Sequence, residues 1–248
     1  MAGHSHWAGI KHKKALIDSK RGKLWSRLSK AIIIAAKMGG GDPSANARLR
    51  QAIADAKAVS MPKDNIERAI KKGTGEIDGG NVEEILYEGY GPHGIAVLCD
   101  IMTDNRNRTA PELRKMFEVS GGNLGTTNSV AYMFDRKGVF LVAAEGNDEE
   151  TIMEIAMEAG AEDIQLAGEN IEVICPPEAY TDVSDALTEA SIECVSRAIT
   201  RIPTTTVDLT AEEAEKVLKF MEALDDHDDV QNVSANFNLP EEVIKALG

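Results

Sequence analysis

The sequence predicts an α+β fold: an N-terminal three-helix domain followed by two ferredoxin-like α+β domains, one inserted in the other. Apolar residues recur at helical spacing up to about Gly73, and strand-length apolar runs alternate with helical segments after the Gly-rich stretch GTGEIDGGN. Charge divides the chain at nearly the same place. Residues 1–76 hold 16 of the 27 Lys and Arg residues but only 6 of the 41 Asp and Glu residues, in a chain of net charge -14. We therefore expect a basic helical domain joined to acidic α+β domains.

Three helices are predicted in the basic part of the chain. The first begins near Gly22 and ends at GGGDP, where glycine favours a left-handed cap and proline cannot continue the helix. Its predicted buried residues are Leu24, Leu28, Ala31 and Ala35. The second helix spans roughly residues 44–59, and the third begins at Pro62 and ends before Gly73. The segment before Lys20 has weak periodicity, so we expect an arm that orders on a partner.

The acidic part is predicted to alternate strands and helices. EEILYEGYG and GIAVLCDIMT form a hairpin, and the T-x-x-E sequence at Thr109–Glu112 is a capping box that opens a helix. SVAYMFD and GVFLVAA are interpreted as two strands separated by a turn at residues 136–138. Further helices are expected at residues 148–159, 177–190 and 211–224, and further strands near residue 164 and at residues 171–174, 192–199, 205–209 and 229–237.

The order of these elements predicts that one domain interrupts another. Residues 138–202 follow the ferredoxin-like order β-α-β-β-α-β, whereas the C-terminal β-α-β cannot bury its own sheet face. We expect the C-terminal unit to join the earlier hairpin. The predicted domains are residues 1–80, residues 81–137 with 203–248, and the inserted residues 138–202.

Composition excludes several classes of protein. No apolar run reaches the roughly 18 to 20 residues of a membrane span, and the first residues lack the apolar core of a secretory signal. Cys99, Cys175 and Cys194 lie apart in apolar runs typical of buried reduced thiols, which favours a cytoplasmic location. We expect no membrane partner, no catalytic residues, no metal site, no cofactor and no small-molecule substrate, and we expect a monomer.

A stripe of cations on the first helix is the main candidate for a binding site. The stripe consists of Lys23, Arg27, Lys30 and Lys37, and the preceding segment adds Lys11, Lys13, Lys14, Lys20 and Arg21. The four stripe residues fall within about 80° on a helical wheel, beside the apolar face. Such grouping is typical of a nucleic-acid partner, because each cation placed on a phosphate releases condensed counterions. The alternative is a solvated basic face that offsets the acidic domains.

Two further segments carry groups suited to binding. TDNRNRT places Arg106 and Arg108 between a strand and a helix, where the guanidinium groups either grip phosphate or RNA edges or organise the loop internally. DDHDD at Asp225–Asp229 offers carboxylates for a divalent cation, which a nuclease would use. Because adjacent carboxylates mostly diverge, we expect instead a solvated turn between a helix and a strand.

Ordered blocks along nearly the whole chain resemble one family. They are MAGHSHWAGIKHKK, SKRGKLWSRL, GGGDPSANARLR, MPKDNIERAIKKG, YEGYGPHGIAVL, TDNRNRT, GGNLGT, SVAYMF and DDVQNVSANF. Together they resemble the YebC family, which includes the mitochondrial translational activator of cytochrome c oxidase subunit I. The resemblance implies a helical domain followed by two α+β domains, a cytoplasmic bacterial or organellar setting, and no enzymatic activity. It also implies either a DNA-binding transcriptional regulator or a translation factor acting at the ribosome, including on proline-rich nascent chains.

Two positions depart from the pattern of that family. His6 stands where the resemblance implies Lys, which weakens position 6 as a phosphate contact. Asn128 stands where glycine is usual, and Asn tolerates a positive φ better than most residues.

Physical considerations favour ribosomal RNA over duplex DNA as the target. The acidic domains would repel a long duplex, and no exposed helix face with base-reading Asn, Gln or Arg residues stands out. A pocket lined by RNA suits a compact basic domain, and Trp7 would stack there on unpaired bases unless it docks on the helical bundle. We predict a non-enzymatic, nucleic-acid-binding regulator of gene expression that associates with the ribosome, with a DNA-binding transcriptional regulator as the alternative.

Overall fold

The computed structural model describes residues 21–247, and it confirms the predicted fold class. The helices in these residues are α1 Arg21–Gly39, α2 Ala47–Ala58, α3 Lys63–Thr74, α4 Arg106–Val119, α5 Glu149–Glu158, α6 Tyr180–Glu189, α7 Ala211–Asp225 and α8 Glu241–Leu247. The strands are β1 Glu83–Tyr90, β2 Ala96–Thr103, β3 Asn123–Leu124, β4 Phe134–Ala143, β5 Asp163–Ala167, β6 Asn170–Cys175, β7 Cys194–Pro203, β8 Val207–Asp208, β9 Val230–Ala235 and β10 Phe237–Asn238.

The three helices predicted in the basic region pack around one apolar core. Ile32 and Ala35 of α1 are buried together with Leu49 of α2 and Ile66 of α3. The second helix begins later than predicted because Asn46 caps it: the Asn46 side chain accepts the Leu49 N–H and donates to the Ala35 carbonyl. The cap therefore also ties the start of α2 to α1.

The first sheet joins the N-terminal hairpin to the end of the chain. Its strand order is β3-β1-β2-β9, and the β1–β2 pairing runs from Glu83 opposite Thr103 to Tyr90 opposite Ala96. Alternate residues of β2 are buried against α4 and α7, whereas Ala96 and Leu98 on the other face are buried against Val130 and Phe134. Phe117 of α4 meets Phe220 of α7 edge to face, with ring centroids 5.0 Å apart.

A second sheet forms between β3 and β8, so the chain leaves the first sheet and returns to it. Its order is β5-β6-β4-β7, all antiparallel, with α5 and α6 covering one face. The first sheet has the same spatial arrangement of four strands. Its order β3-β1-β2-β9 corresponds, strand by strand, to β5-β6-β4-β7 of the second sheet. The sheets are thus both ferredoxin-like, although their strands follow different orders along the chain.

The strand prediction for SVAYMFD is wrong. Residues Ala131–Met133 form a short 3₁₀ turn, and β4 runs straight through residues 136–138, where a turn was expected. The buried carboxylate of Glu88 explains the turn, because it accepts the N–H groups of Asn128, Val130 and Ala131 at 2.8, 3.0 and 2.9 Å. Asn128 adopts the expected positive φ, 65°.

The capping-box prediction at Thr109–Glu112 is also wrong. Helix α4 begins three residues earlier, at Arg106, because the Asn105 side chain caps it by accepting the Arg108 N–H at 3.1 Å. Thr109 lies inside the helix and is buried. Its hydroxyl donates to Asp229, 120 residues further along the chain, so its role is tertiary.

We predict that Glu88→Ala lowers the free energy of unfolding by about 2–3 kcal/mol, because the N–H groups of Asn128, Val130 and Ala131 lose their acceptor and the one at Val130 is buried. Urea unfolding of the variant and the parent measures this loss. Glu84→Ala is the matched control, since Glu84 pairs with Arg48 at the surface and should cost about 1 kcal/mol or less. Equal losses for the two variants would contradict the anchoring role of Glu88.

Candidate nucleic-acid interface

The cationic stripe of α1 lies against the turn at residues 225–229, which we call the acidic turn. Lys23 Nζ donates to the Asp226 carbonyl at 2.9 Å, and Arg27 donates to the carbonyls of Asp225 and His227. Lys30 Nζ donates to the Asp228 carbonyl at 3.0 Å and to Asp229 Oδ1 at 2.5 Å. Three of the four stripe residues are thus bonded to the acidic turn.

The acidic turn attracts these cations for a reason set by its place in the fold. Helix α7 ends at Asp225, so the last carbonyls of α7 have no partner within the helix and carry the negative end of its dipole. The α1 cations satisfy carbonyls of this turn. Longer ion pairs add to the contact, with Lys23–Asp228 and Arg27–Asp225 both at 3.8 Å.

Asp229 is the buried centre of this contact. Its side chain is 1% exposed, and its carboxylate receives hydrogen bonds from Lys30 of α1 and, at 2.8 and 2.6 Å, from Arg108 and Thr109 of α4. The Thr103 hydroxyl at the end of β2 lies 3.1 Å from the same carboxylate. Burial by itself would raise the pKa of Asp229, but the hydrogen bonds from Arg108, Lys30 and Thr109 hold it well below its usual range.

The acidic turn therefore differs from the solvated turn predicted from the sequence. It does connect a helix to a strand, yet Asp229 is buried and the side chain of Asp225 is only 20% exposed. Within residues 21–247, no group of His, Cys, Asp and Glu side chains has an arrangement that would hold a metal ion. The carboxylates face lysine and arginine side chains instead.

The other predicted site residues have varied surroundings. Lys37 donates to the Val82 carbonyl at 3.3 Å. Arg108 organises its own loop by pairing with Asp104 and Asp229, as the second interpretation of TDNRNRT proposed, whereas Arg106 is exposed at the start of α4. Arg21 begins α1, and the predicted contacts Lys11, Lys13, Lys14 and Lys20 lie outside the described residues, as do His6 and Trp7.

Exposure separates the stripe residues from one another. Arg27 and Lys30 are 16% and 15% exposed, against 49% for Lys23, so the first two cannot reach an external phosphate in this arrangement. Phosphate binding by the stripe stays a prediction, and for Arg27 and Lys30 it requires that the acidic turn move.

Exposed cations outside the stripe add to the charged surface of the helical domain. Lys57 of α2 and Arg68 and Lys71 of α3 are exposed and form no ion pair with another described residue. The sequence-based prediction missed them because it followed a single stripe on α1. Their shared signal is a cation on the polar side of a predicted amphipathic helix.

The helices that the structure describes include none that is long and apolar enough to cross a membrane.

Comparisons with known proteins cover nearly the whole chain. Residues 5–76 match the family model described as the TACO1/YebC protein N-terminal domain, and residues 82–237 match the TACO1/YebC second and third domain. A probable transcriptional regulatory protein of Rhodopirellula baltica is 59% identical over 98% of this chain and 99% of its own, and one of Dictyoglomus turgidum is 50% identical over 100% of both. A crystal structure of a conserved hypothetical protein from Aquifex aeolicus has a TM-score of 0.87 at 48% identity and covers 96% of this chain and 98% of its own.

We predict that Asp229→Asn lowers the free energy of unfolding at pH 7 by about 3 kcal/mol, since Lys30 and Arg108 lose a buried counter-charge. Because the folded-state pKa of Asp229 lies below the unfolded value of about 3.9, its stabilisation is present above that pH and is lost as the pH falls from there towards the folded pKa. Urea unfolding of parent and variant between neutral pH and pH 3 should show the difference between them shrinking below about pH 4. A difference that stays constant over this range would show that the charge of Asp229 is not what matters.

Proposed function

Because the chain belongs to the TACO1/YebC family, we propose that it is a non-enzymatic regulator of gene expression that binds nucleic acid, with ribosomal RNA as its target. The observation that carries this proposal is the segregation of charge between domains. Exposed cations remain on the helical domain even after the stripe has paired with the acidic turn. The proposed contacts are Lys57, Arg68 and Lys71, the exposed Arg106, and Lys11, Lys13, Lys14, Lys20 and Arg21 at the start of the chain.

The inserted domain supplies the opposite charge. From Gly138 to Ser196 the chain contains 15 Asp and Glu residues and no Lys, Arg or His. Helices α5 and α6 therefore present only carboxylates among their charged side chains. Such a domain repels phosphates within about 8–10 Å at physiological ionic strength, so nucleic acid is directed to the helical domain and to the exposed Arg106.

The surface of α3 supports RNA rather than duplex DNA. Its exposed residues alternate in sign: Lys63 pairs with Glu67 at 3.4 Å, and Asp64 lies among Arg68 and Lys71 on the exposed side. A helix placed in a major groove would bring these carboxylates against two phosphate backbones. Separate phosphates on a folded RNA can be contacted one at a time, while the carboxylates remain in solvent.

The alternative is a DNA-binding transcriptional regulator. The names of the relatives favour it, since those of Rhodopirellula baltica and Dictyoglomus turgidum are both called probable transcriptional regulatory proteins. The same exposed cations would then contact the phosphates of duplex DNA, and selectivity for one sequence would have to come from residues that read base edges.

Replacement of three exposed cations tests the proposal directly. The full chain carrying Lys57→Glu, Arg68→Glu and Lys71→Glu is titrated against intact ribosomes and against a pool of duplex DNA at near-physiological salt. We expect saturable binding of the parent to ribosomes, weak unselective binding to DNA, and a loss of ribosome affinity of about tenfold or more in the variant.

The control carries Lys115→Glu, Lys216→Glu and Lys219→Glu, which change the net charge equally on exposed positions of α4 and α7. It should bind ribosomes about as well as the parent. Sequence-selective DNA binding without a stable ribosome complex would establish the alternative, and equal losses in the variant and the control would show that only net charge matters.

A further inference from the structure

The acidic turn offers α1 the same kind of ligand that a nucleic-acid backbone offers. Lysine and arginine side chains of the stripe are met by carbonyl oxygens of four successive residues, 225–228, and by the carboxylates of Asp225, Asp228 and Asp229. These are closely spaced oxygens bearing full or partial negative charge, as phosphodiester oxygens are. A phosphate group and the acidic turn are therefore chemically alternative ligands for Lys23, Arg27 and Lys30.

We propose that the acidic turn is an intramolecular competitor for phosphate, which nucleic acid displaces from the α1 stripe when it binds the helical domain. This proposal rests on the proposed function and adds the regulation of the same surface. Exposed cations such as Lys57 and Lys71 make the first contact. Displacement of the turn then exposes Arg27 and Lys30, which adds phosphate contacts that are covered in the structure described here.

During this exchange, both Asp229 and Lys30 keep a partner for their charge. When Lys30 leaves, Asp229 keeps its hydrogen bonds from Arg108 and Thr109 within its own domain. Lys30 in turn acquires a phosphate. Neither charge is left buried without a partner. A buried charge without a partner would make the exchange costly in free energy.

The exchange also leaves the packing between the domains in place. Val82 at the start of the first sheet and Met102 of β2 are buried in the core of the helical domain. This contact is apolar, and the Met102 N–H donates to the Asp229 carbonyl at 2.9 Å, which holds Asp229 beside β2. Only residues 225–228 and the polar contacts with α1 have to move.

The competition lowers affinity for nucleic acid in general, because the observed affinity falls in proportion to the fraction of molecules with an open stripe. A polyanion that makes only a few contacts with the helical domain does not displace the turn. An RNA surface that contacts the exposed cations and the stripe together does. The acidic turn therefore raises selectivity at the expense of affinity.

Weakening the turn tests the proposal in the full chain. Asp225→Asn with Asp228→Asn removes two carboxylates that pair with Arg27 and Lys23 but leaves the buried Asp229 intact. With purified ribosomal RNA as the probe, filter binding should show an affinity about fivefold higher than that of the parent. The matched control, Asp182→Asn with Asp185→Asn on exposed positions of α6, makes the same change in net charge and should stay within about twofold of the parent.

Hydrogen exchange of the parent bound to ribosomal RNA supplies a second readout. The amides of Asp229 and Val230 are bonded within the turn, to His227 Nδ1 at 3.1 Å and to the His227 carbonyl at 3.2 Å. We expect their exchange to accelerate on binding. Two results would overturn the competitor proposal alone: RNA that binds while exchange at residues 225–230 stays unchanged, or affinity gains that are equal in the two double variants. If the parent fails to bind ribosomal RNA, the proposed function is overturned as well.

Discussion

The carboxylate of Asp229 must stay ionised inside the protein, and much of the arrangement of the domains follows from that requirement. A buried charge needs partners that are themselves well placed. Asp229 receives Lys30 from the helical domain and Arg108 and Thr109 from α4, so it connects two domains that have separate apolar cores. The Asp229 carboxylate lies where three features of the fold come together. These are the position of α1 over the end of α7, the early start of α4 and the burial of Thr109.

The same contact relates the charge pattern of the chain to its function. An acidic protein with a basic start has an internal counter-charge available, and here a turn of only five residues supplies it to Lys23, Arg27 and Lys30. Cations of the helical domain therefore fall into two groups. One group, which includes Lys57, Arg68 and Lys71, is exposed and forms no ion pair with another described residue, and the other is bonded to the acidic turn or to other residues of the chain. The inserted domain has no cation between Gly138 and Ser196, so its charge repels phosphate.

Sequence predicted those elements whose causes lie close together in the chain. Periodicity and the flanking Gly and Pro residues located α1 and α3, and the order of elements led to the ferredoxin-like arrangement of residues 138–202. The failures depended on distant partners. The strand prediction for SVAYMFD failed because Glu88, about 40 residues earlier, holds the turn, and the Thr109 prediction failed because its partner Asp229 is 120 residues away. The acidic turn was predicted to be solvated for the same reason, since nothing near it in the sequence indicates that Lys30 covers it.

Ultraviolet cross-linking of the full-length protein in growing cells, with sequencing of the attached nucleic acid and mapping of the attached peptides, tests most directly which nucleic acid binds the helical domain. We predict that ribosomal RNA is recovered and that the cross-linked peptides fall within residues 1–76 or at the start of α4 around Arg106. Recovery of chromosomal DNA in place of ribosomal RNA, or cross-links concentrated in residues 138–202, would contradict it.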